Sequence, residues 1–131
     1  MTESANVRIT RDDGVAVVSL AGEIDLVNAA EVARAADQGI DGTEHVIVDL
    51  EDIAFMDSQA IALLDRLAGR LEREGRALVV VAPTTSVPRR VLEIVDLGIG
   101  LFEGRDSARA ALASRAVDEG SPPIPGDPAV R

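Results

Sequence analysis

Residues 46–61 read VIVDLEDIAFMDSQAI, and this run contains the clearest secondary-structure signals in the chain. It begins in a short segment rich in β-branched residues, 45–50, which is typical of a strand buried on both faces. It ends in a helix predicted over residues 58–74, where apolar residues recur at helical spacing: Ile61, Leu64, Leu67, Ala68 and Leu71. A buried strand followed by such a helix predicts an α/β fold with a mostly parallel sheet.

The same alternation continues on both sides of this run. Upstream, Asp12-Asp13-Gly14 is a hairpin signal between strands at residues 7–10 and 15–22, so an antiparallel N-terminal edge strand is predicted. A helix with small apolar residues follows from Asn28 to Gly39. Downstream, the pattern predicts a strand over residues 77–82, a helix over residues 88–95 and a short strand over residues 101–102. A final helix is predicted to follow, with Asp106 or Ser107 as its N-cap.

The chain is expected to form one domain and a tail. It has 131 residues, 47% of them hydrophobic, which is enough for one buried core. Residues 118–131 contain four of the six prolines and almost no large apolar side chain, so they are predicted to be a disordered tail after a domain over residues 1–117. The domain is expected to contain four to five strands and about four helices.

The composition excludes several classes of protein. The chain has no Cys and no Lys, and its 13 cationic side chains are all Arg, so thiolate sites, Walker-type phosphate loops and Schiff-base enzymes are excluded in their standard form. A formal net charge of −10 argues against direct contact with nucleic acid or with anionic membranes. No signal sequence is recognisable at the N-terminus, so a cytoplasmic protein is expected.

Three segments together resemble one known family. Residues 46–61 resemble the signature of the STAS domain, named for sulphate transporters and anti-sigma factor antagonists, in their Asp-Leu pair, their Phe-Met-Asp-Ser and the helix that follows. Gly22-Glu23-Ile24-Asp25 resembles the end of the family's second strand, and residues 87–98 resemble one of its helices. The resemblance implies a single STAS domain, with a mostly parallel mixed sheet. The chain departs from the family at Gln59 and Ala60, where a second Ser and a Gly are usual.

The resemblance implies a regulator rather than an enzyme, without catalytic residues, cofactor or metal. In stand-alone bacterial members the Ser that follows the Asp is phosphorylated, which makes Ser58 the acceptor here. The implied partner is an anti-sigma factor with a histidine-kinase-like ATPase fold that also acts as the Ser kinase, and a Ser phosphatase reverses the modification. The unphosphorylated form binds this partner and frees a sigma factor. The implied partner-binding residues are Glu23, Asp25, Phe55, Met56, Asp57, Ser58 and Gln59.

The residues themselves leave alternatives open. Short polar side chains such as those of Asp57 and Ser58 are also common helix N-caps, and Glu23 and Asp25 also fit a solvated loop. Asp49 at a strand end is expected to bond to loop amides. Grouped with Asp52 and Asp57 it would suggest a cation site, which lacks further support in the sequence. A Ser–His–Asp triad fails because His45 opens the strand that Ser58 follows, which puts the two at opposite ends of the sheet.

Two other functions remain open from the sequence. The domain could be a constitutive STAS interaction module in a transporter-associated or stress-signalling assembly, with Ser58 only a cap. A small hydrolase is disfavoured because no nucleophile–base pair and no Gly-rich loop are present. The sequence does not decide whether the domain forms a homodimer.

Overall fold

The computed structural model describes residues 6–24 and 27–117, which form five strands and four helices. Asp25 and the tail predicted over residues 118–131 lie outside the described residues. In chain order, the elements are β1 (Asn6–Asp12), β2 (Val15–Ile24), α1 (Ala29–Gly39), β3 (His45–Met56), α2 (Ser58–Arg73), β4 (Ala77–Val81), α3 (Val87–Ile94), β5 (Gly100–Phe102) and α4 (Arg105–Val117).

The strands form one mixed sheet in the order β1-β2-β3-β4-β5. β1 is antiparallel to β2, and the other neighbours are parallel. Asp13 and Gly14 both have positive φ, 52° and 76°, as a two-residue hairpin turn requires. The predicted fold, with its antiparallel edge strand and four helices, is therefore confirmed.

The two faces of the sheet are covered unequally. Val46, Val48 and Leu50 of β3 point to the larger core, where residues of α1, α2 and α3 pack against the sheet. Ile47 points to the opposite face, where a smaller core includes Ala108 and Leu112 of α4. Both faces of the central strands are buried, which explains their continuous apolar sequence.

β3 continues six residues beyond the end predicted for it at Leu50. Its register against β2 shifts twice, between Ser19 and Ala21 and again between Gly22 and Glu23, so β3 carries an extra residue at each shift. Such bulges twist a strand and re-aim its side chains. After Leu50 the continuous burial of β3 gives way to exposed pairs of residues separated by single buried ones. For this reason the sequence pattern did not predict the rest of the strand.

Two further predictions are corrected. α4 begins at Arg105, so neither Asp106 nor Ser107 is its N-cap, and the Ser107 hydroxyl donates to the carbonyl of Gly104 from within the first turn. The pair Arg89-Arg90 in the sequence is typical of a solvated helix face, but Arg89 is fully buried, and its Nε donates to the carbonyl of Ala82 at 2.7 Å. Within residues 6–24 and 27–117, no helix is both long and apolar enough to span a lipid bilayer.

Candidate functional site

Asp57 is the N-cap of α2. Its backbone is extended, and its Oδ1 accepts hydrogen bonds from the amides of Gln59 at 2.9 Å and Ala60 at 3.4 Å. One short side chain thus satisfies two of the amides that a helix start leaves without a partner. The capping role that the sequence offered to Asp57 or Ser58 therefore belongs to Asp57.

Ser58 is the first helical residue of α2 and is exposed. Its hydroxyl makes no hydrogen bond to any of the residues that the structure describes. Because the cap is supplied by the preceding residue, the Ser58 hydroxyl is available to an external group. It also lies at the positive end of the helix dipole, where a negative group is tolerated.

The end of β2 lies directly beside this helix start. Glu23 pairs in register with Phe55, and Ile24 pairs with Met56. The Glu23 side chain is exposed and Phe55 is 50% exposed, whereas Met56 is only 5% exposed and belongs to the core. Of the predicted pair Phe55 and Met56, therefore, only Phe55 offers substantial surface to a partner.

Gln59 and Ala60, the two departures from the family pattern, face different environments. Gln59 is half-buried. Ala60 is 1% exposed and packs in the larger core. Its methyl group therefore does not intrude on the surface around Ser58.

Carboxylates dominate the surface near the ends of β2 and β3. Glu23, Glu51 and Asp52 are exposed, and Asp57 is half-buried in its capping role. Asp52 pairs in register with Ala21, so it lies alongside β2 rather than beyond the sheet. A further negative group on Ser58 would join a region that is already acidic.

Asp49 does not belong to this surface. Its side chain is 7% exposed, its Oδ1 accepts from the Glu51 amide at 2.9 Å, and its Oδ2 accepts from Nε of Arg105 at 2.6 Å. The same guanidinium donates to the Ser19 hydroxyl at 2.6 Å. Asp49 is therefore structural, as expected, although the amide that it accepts from lies within β3 and not in a loop. Its Arg105 contact spans 56 residues, and no signal in the sequence indicated it.

His45 lies at the opposite end of β3 from Ser58. Its Nδ1 accepts a hydrogen bond from the amide of Ala77 at 3.0 Å, which ties the starts of β3 and β4 together. This separation excludes a catalytic pair of His45 and Ser58.

Comparison with known proteins identifies the family of this domain. The model of the STAS domain family matches residues 6–108. The anti-sigma-F factor antagonist RsfB of Mycobacterium tuberculosis is 31% identical over 97 residues, which cover 72% of this chain and 77% of RsfB.

Solved structures show the same fold. The structure of an anti-sigma factor antagonist from Mycobacterium paratuberculosis superposes with a TM-score of 0.73 at 27% identity, over 86% of this chain and 99% of that one. SpoIIAA in its unphosphorylated form superposes with a TM-score of 0.59 at 19% identity, over 88% of this chain and all of that one. The phosphorylated form from Bacillus gives 0.62 at 19% identity, over 80% and 97% of the two chains.

Proposed function

Because this chain belongs to the STAS domain family, and its relative RsfB is an anti-sigma-F factor antagonist, we propose that it is an anti-sigma factor antagonist switched by phosphorylation of Ser58. It acts in the cytoplasm, by binding rather than by catalysis. In the unphosphorylated state it binds an anti-sigma factor with a histidine-kinase-like ATPase fold and so releases a sigma factor. That partner phosphorylates Ser58, and a Ser phosphatase restores the binding form.

This proposal depends on the different roles of Asp57 and Ser58 at the start of α2. Asp57 supplies the cap, so Ser58 has an exposed hydroxyl with no structural task among the described residues. A kinase can approach such a group without unfolding the helix. The phosphate would then lie at the N-terminus of α2, where the helix dipole favours negative charge.

The surface around Ser58 supports a role in docking. We define the docking edge as Glu23, Phe55, Asp57, Ser58 and Gln59. A half-exposed aromatic ring bordered by polar groups is a common anchor in protein interfaces. Met56 supports the docking edge indirectly, because its packing in the larger core holds the end of β3 in place. Asp25 remains a proposed contact from the sequence pattern.

Electrostatic repulsion provides the switch. Phosphorylation adds about −1.5 to −2 charges beside Glu23, Asp52 and Asp57. A partner that covers the docking edge would have to desolvate this cluster, and an uncompensated buried charge costs several kcal/mol. A penalty of about 3 kcal/mol lowers the affinity by roughly two orders of magnitude. No change of fold is needed.

Phosphorylation by the cognate kinase tests the proposal. Incubation with that kinase and ATP should add one phosphate to the wild type and none to Ser58→Ala, as intact-protein mass spectrometry would show. Ser114→Ala is the matched control, since Ser114 is an exposed serine on α4. Equal labelling of Ser58→Ala would refute the site. A partner complex that survives in Ser58→Asp with unchanged affinity would favour the constitutive interaction module instead.

A further inference from the structure

In the part of the chain that the structure describes, no helix covers the outer part of β5 on the face of the larger core. Leu101 pairs in register with Val80, so both point to that face. Val80 is fully buried, whereas Leu101 and the preceding Ile99 are only half-buried. A sheet face is normally covered along its whole width by a second layer, so this edge has space for another element.

Two depressions adjoin β5, and both are lined by Leu97 and Ile99. The first, of about 230 Å³, lies between the segment from Leu97 to Ile99 and one face of α2, and the second, of about 170 Å³, lies between this segment and the end of α3. Together they form what we call the acidic groove, with an apolar floor of Ala68, Leu78, Leu97, Ile99 and Leu101 and a rim of Asp65, Glu72, Glu93 and Asp96.

The rim is strongly acidic. Asp65 and Glu72 are exposed and form no ion pair with any of the described residues. Two cations lie near the groove: Arg73, whose side chain reaches Gly69, and Arg76, which lines the groove. Arg76 is already engaged by the Glu74 carboxylate at 2.6 Å and the Ile40 carbonyl at 2.6 Å. A bound segment with positive side chains along both edges would therefore meet Asp65 and Glu72 on the α2 edge and Asp96 on the other, whereas Glu93 already lies 3.9 Å from Arg89.

Gly69 leaves a gap in the row of side chains on the α2 side of the groove. It lies inside the helix, where glycine is less favourable than alanine because it loses more backbone entropy. A Cβ at this position would meet only the far end of the Arg73 side chain, with Nη1 at 3.4 Å. No contact among the described residues therefore requires glycine here, but the missing side chain lets another backbone approach α2 closely.

We propose that the acidic groove binds an amphipathic helix of a partner protein, with an apolar stripe flanked by Arg or Lys. Such a helix would complete the layer over β5, place its apolar side chains on Leu97, Ile99 and Leu101, and pair its cations with the rim. Residues 118–131 of this chain do not match this chemistry, since they contain four prolines and three acidic residues against one Arg. A second copy is disfavoured by the net charge of −10.

This groove is separate from the docking edge. α2 runs from Ser58 at the carboxyl ends of the parallel strands to Glu72 near their amino ends, where β4 begins with Ala77. Binding in the groove should therefore be independent of the phosphorylation state of Ser58. The proposal does not depend on the proposed function, and Ser58→Asp distinguishes the two.

A designed peptide tests the groove. The probe is a capped 16-residue helix-forming peptide with Leu at helical spacing and Arg on both flanks, labelled for fluorescence anisotropy. Wild-type protein should bind it, and Gly69→Leu or Glu72→Arg should weaken binding roughly tenfold or more. Glu51→Arg, the matched charge reversal at an exposed position outside the groove, and Ser58→Asp should leave the affinity within about twofold.

Several outcomes would overturn the proposal. Equal binding of a peptide with the same composition but scattered leucines would indicate charge attraction alone, and equal binding of a proline-containing version would indicate an extended occupant. Unchanged affinity of the Glu72→Arg variant would show that the acidic rim does not contribute to peptide binding, and this result would hold even if Gly69→Leu failed to fold. A dimer of the free protein that Gly69→Leu dissociates would show that a second copy occupies the groove.

Discussion

At the start of α2, two adjacent polar residues have different tasks. Asp57 holds the helix start with its carboxylate, and Ser58 offers its hydroxyl to solvent. In the sequence the two are interchangeable, because Asp and Ser are equally good N-caps. Only the backbone geometry, with Asp57 extended and Ser58 helical, assigns the cap.

This assignment predicts that alanine substitutions at Asp57 and Ser58 differ in their effect on stability. Asp57→Ala should lower the free energy of unfolding by about 1 kcal/mol, because two amides of α2 lose their acceptor. Ser58→Ala should change it by less than about 0.5 kcal/mol, since no bond is lost. Urea unfolding measures both. A larger loss for Ser58→Ala than for Asp57→Ala would mean that the serine is the cap.

Arg89 shows how far a single residue can depart from its pattern. It lies near the start of α3 in the pair Arg89-Arg90, which is typical of an exposed helix face, yet its side chain is 0% exposed. Nε donates to Ala82, whereas neither terminal nitrogen forms a hydrogen bond with a described residue, and the two lie 3.9 Å from the carboxylates of Glu93 and Glu103. The two acids compensate the charge without satisfying the donors.

For this reason, Arg89→Met should be tolerated better than Arg89→Ala. Methionine fills much of the same volume and removes a poorly satisfied buried cation, so the free energy of unfolding should stay within about 1 kcal/mol of the wild type. Alanine leaves a cavity and should cost about 3 kcal/mol. Chemical denaturation compares the two variants. Equal losses would show that the Nε bond to Ala82, and not the filled volume, is the important contribution.

At the scale of elements, ion pairs join the end of α1 to the end of α2. Arg70 contacts Asp37 at 3.0 Å, Asp41 at 2.7 Å and Glu74 at 3.3 Å. The hydrogen bond to Asp41 is the main reason why the pKa of Arg70 is raised. The pKa of Glu74 is lowered, chiefly by its hydrogen bond from Arg76 and then by that from Arg70.

The lowered pKa of Glu74 predicts an acid-dependent contribution to stability. A carboxylate whose pKa is lower in the folded than in the unfolded state stabilises the fold above its ordinary pKa of about 4.3, and this contribution disappears as the pH falls through the folded-state value. The raised pKa of Arg70 acts only in strong alkali, so it adds no pH dependence near neutrality. Glu74→Gln should therefore be less stable than the wild type at pH 7, and the difference should shrink on acidification. A difference that is constant down to pH 3 would contradict this linkage.

The sequence predicted those elements whose signals are local. The hairpin at Asp13-Gly14, the amphipathic face of α2 and the parallel order of the strands all follow from turn chemistry and hydrophobic period. The rest depends on tertiary contacts. The bulges extend β3 to Met56 and turn Phe55 outward, and no alternation in the sequence marks them. The Asp49–Arg105 pair likewise joins distant segments.

At the scale of the whole molecule, the two proposed surfaces lie at opposite ends of the same sheet. The docking edge is at the carboxyl ends of the parallel strands, and the acidic groove is beside the amino ends of β4 and β5. Such an arrangement lets one small domain contact two partners at once. The switch at Ser58 would then release one partner and leave the other bound.

Phosphorylation of Ser58 should alter binding without altering the fold. The hydroxyl is exposed and the phosphate meets the favourable end of the α2 dipole, so nothing in the core has to move. We expect the affinity for the anti-sigma factor, measured by calorimetry, to fall by roughly two orders of magnitude. Amide chemical shifts should change only around the docking edge, and the midpoint of thermal unfolding should remain close to that of the unmodified protein. Shifts that spread to the smaller core under α4 would show that the switch works by conformational change, because that core lies on the other face of the sheet from α2.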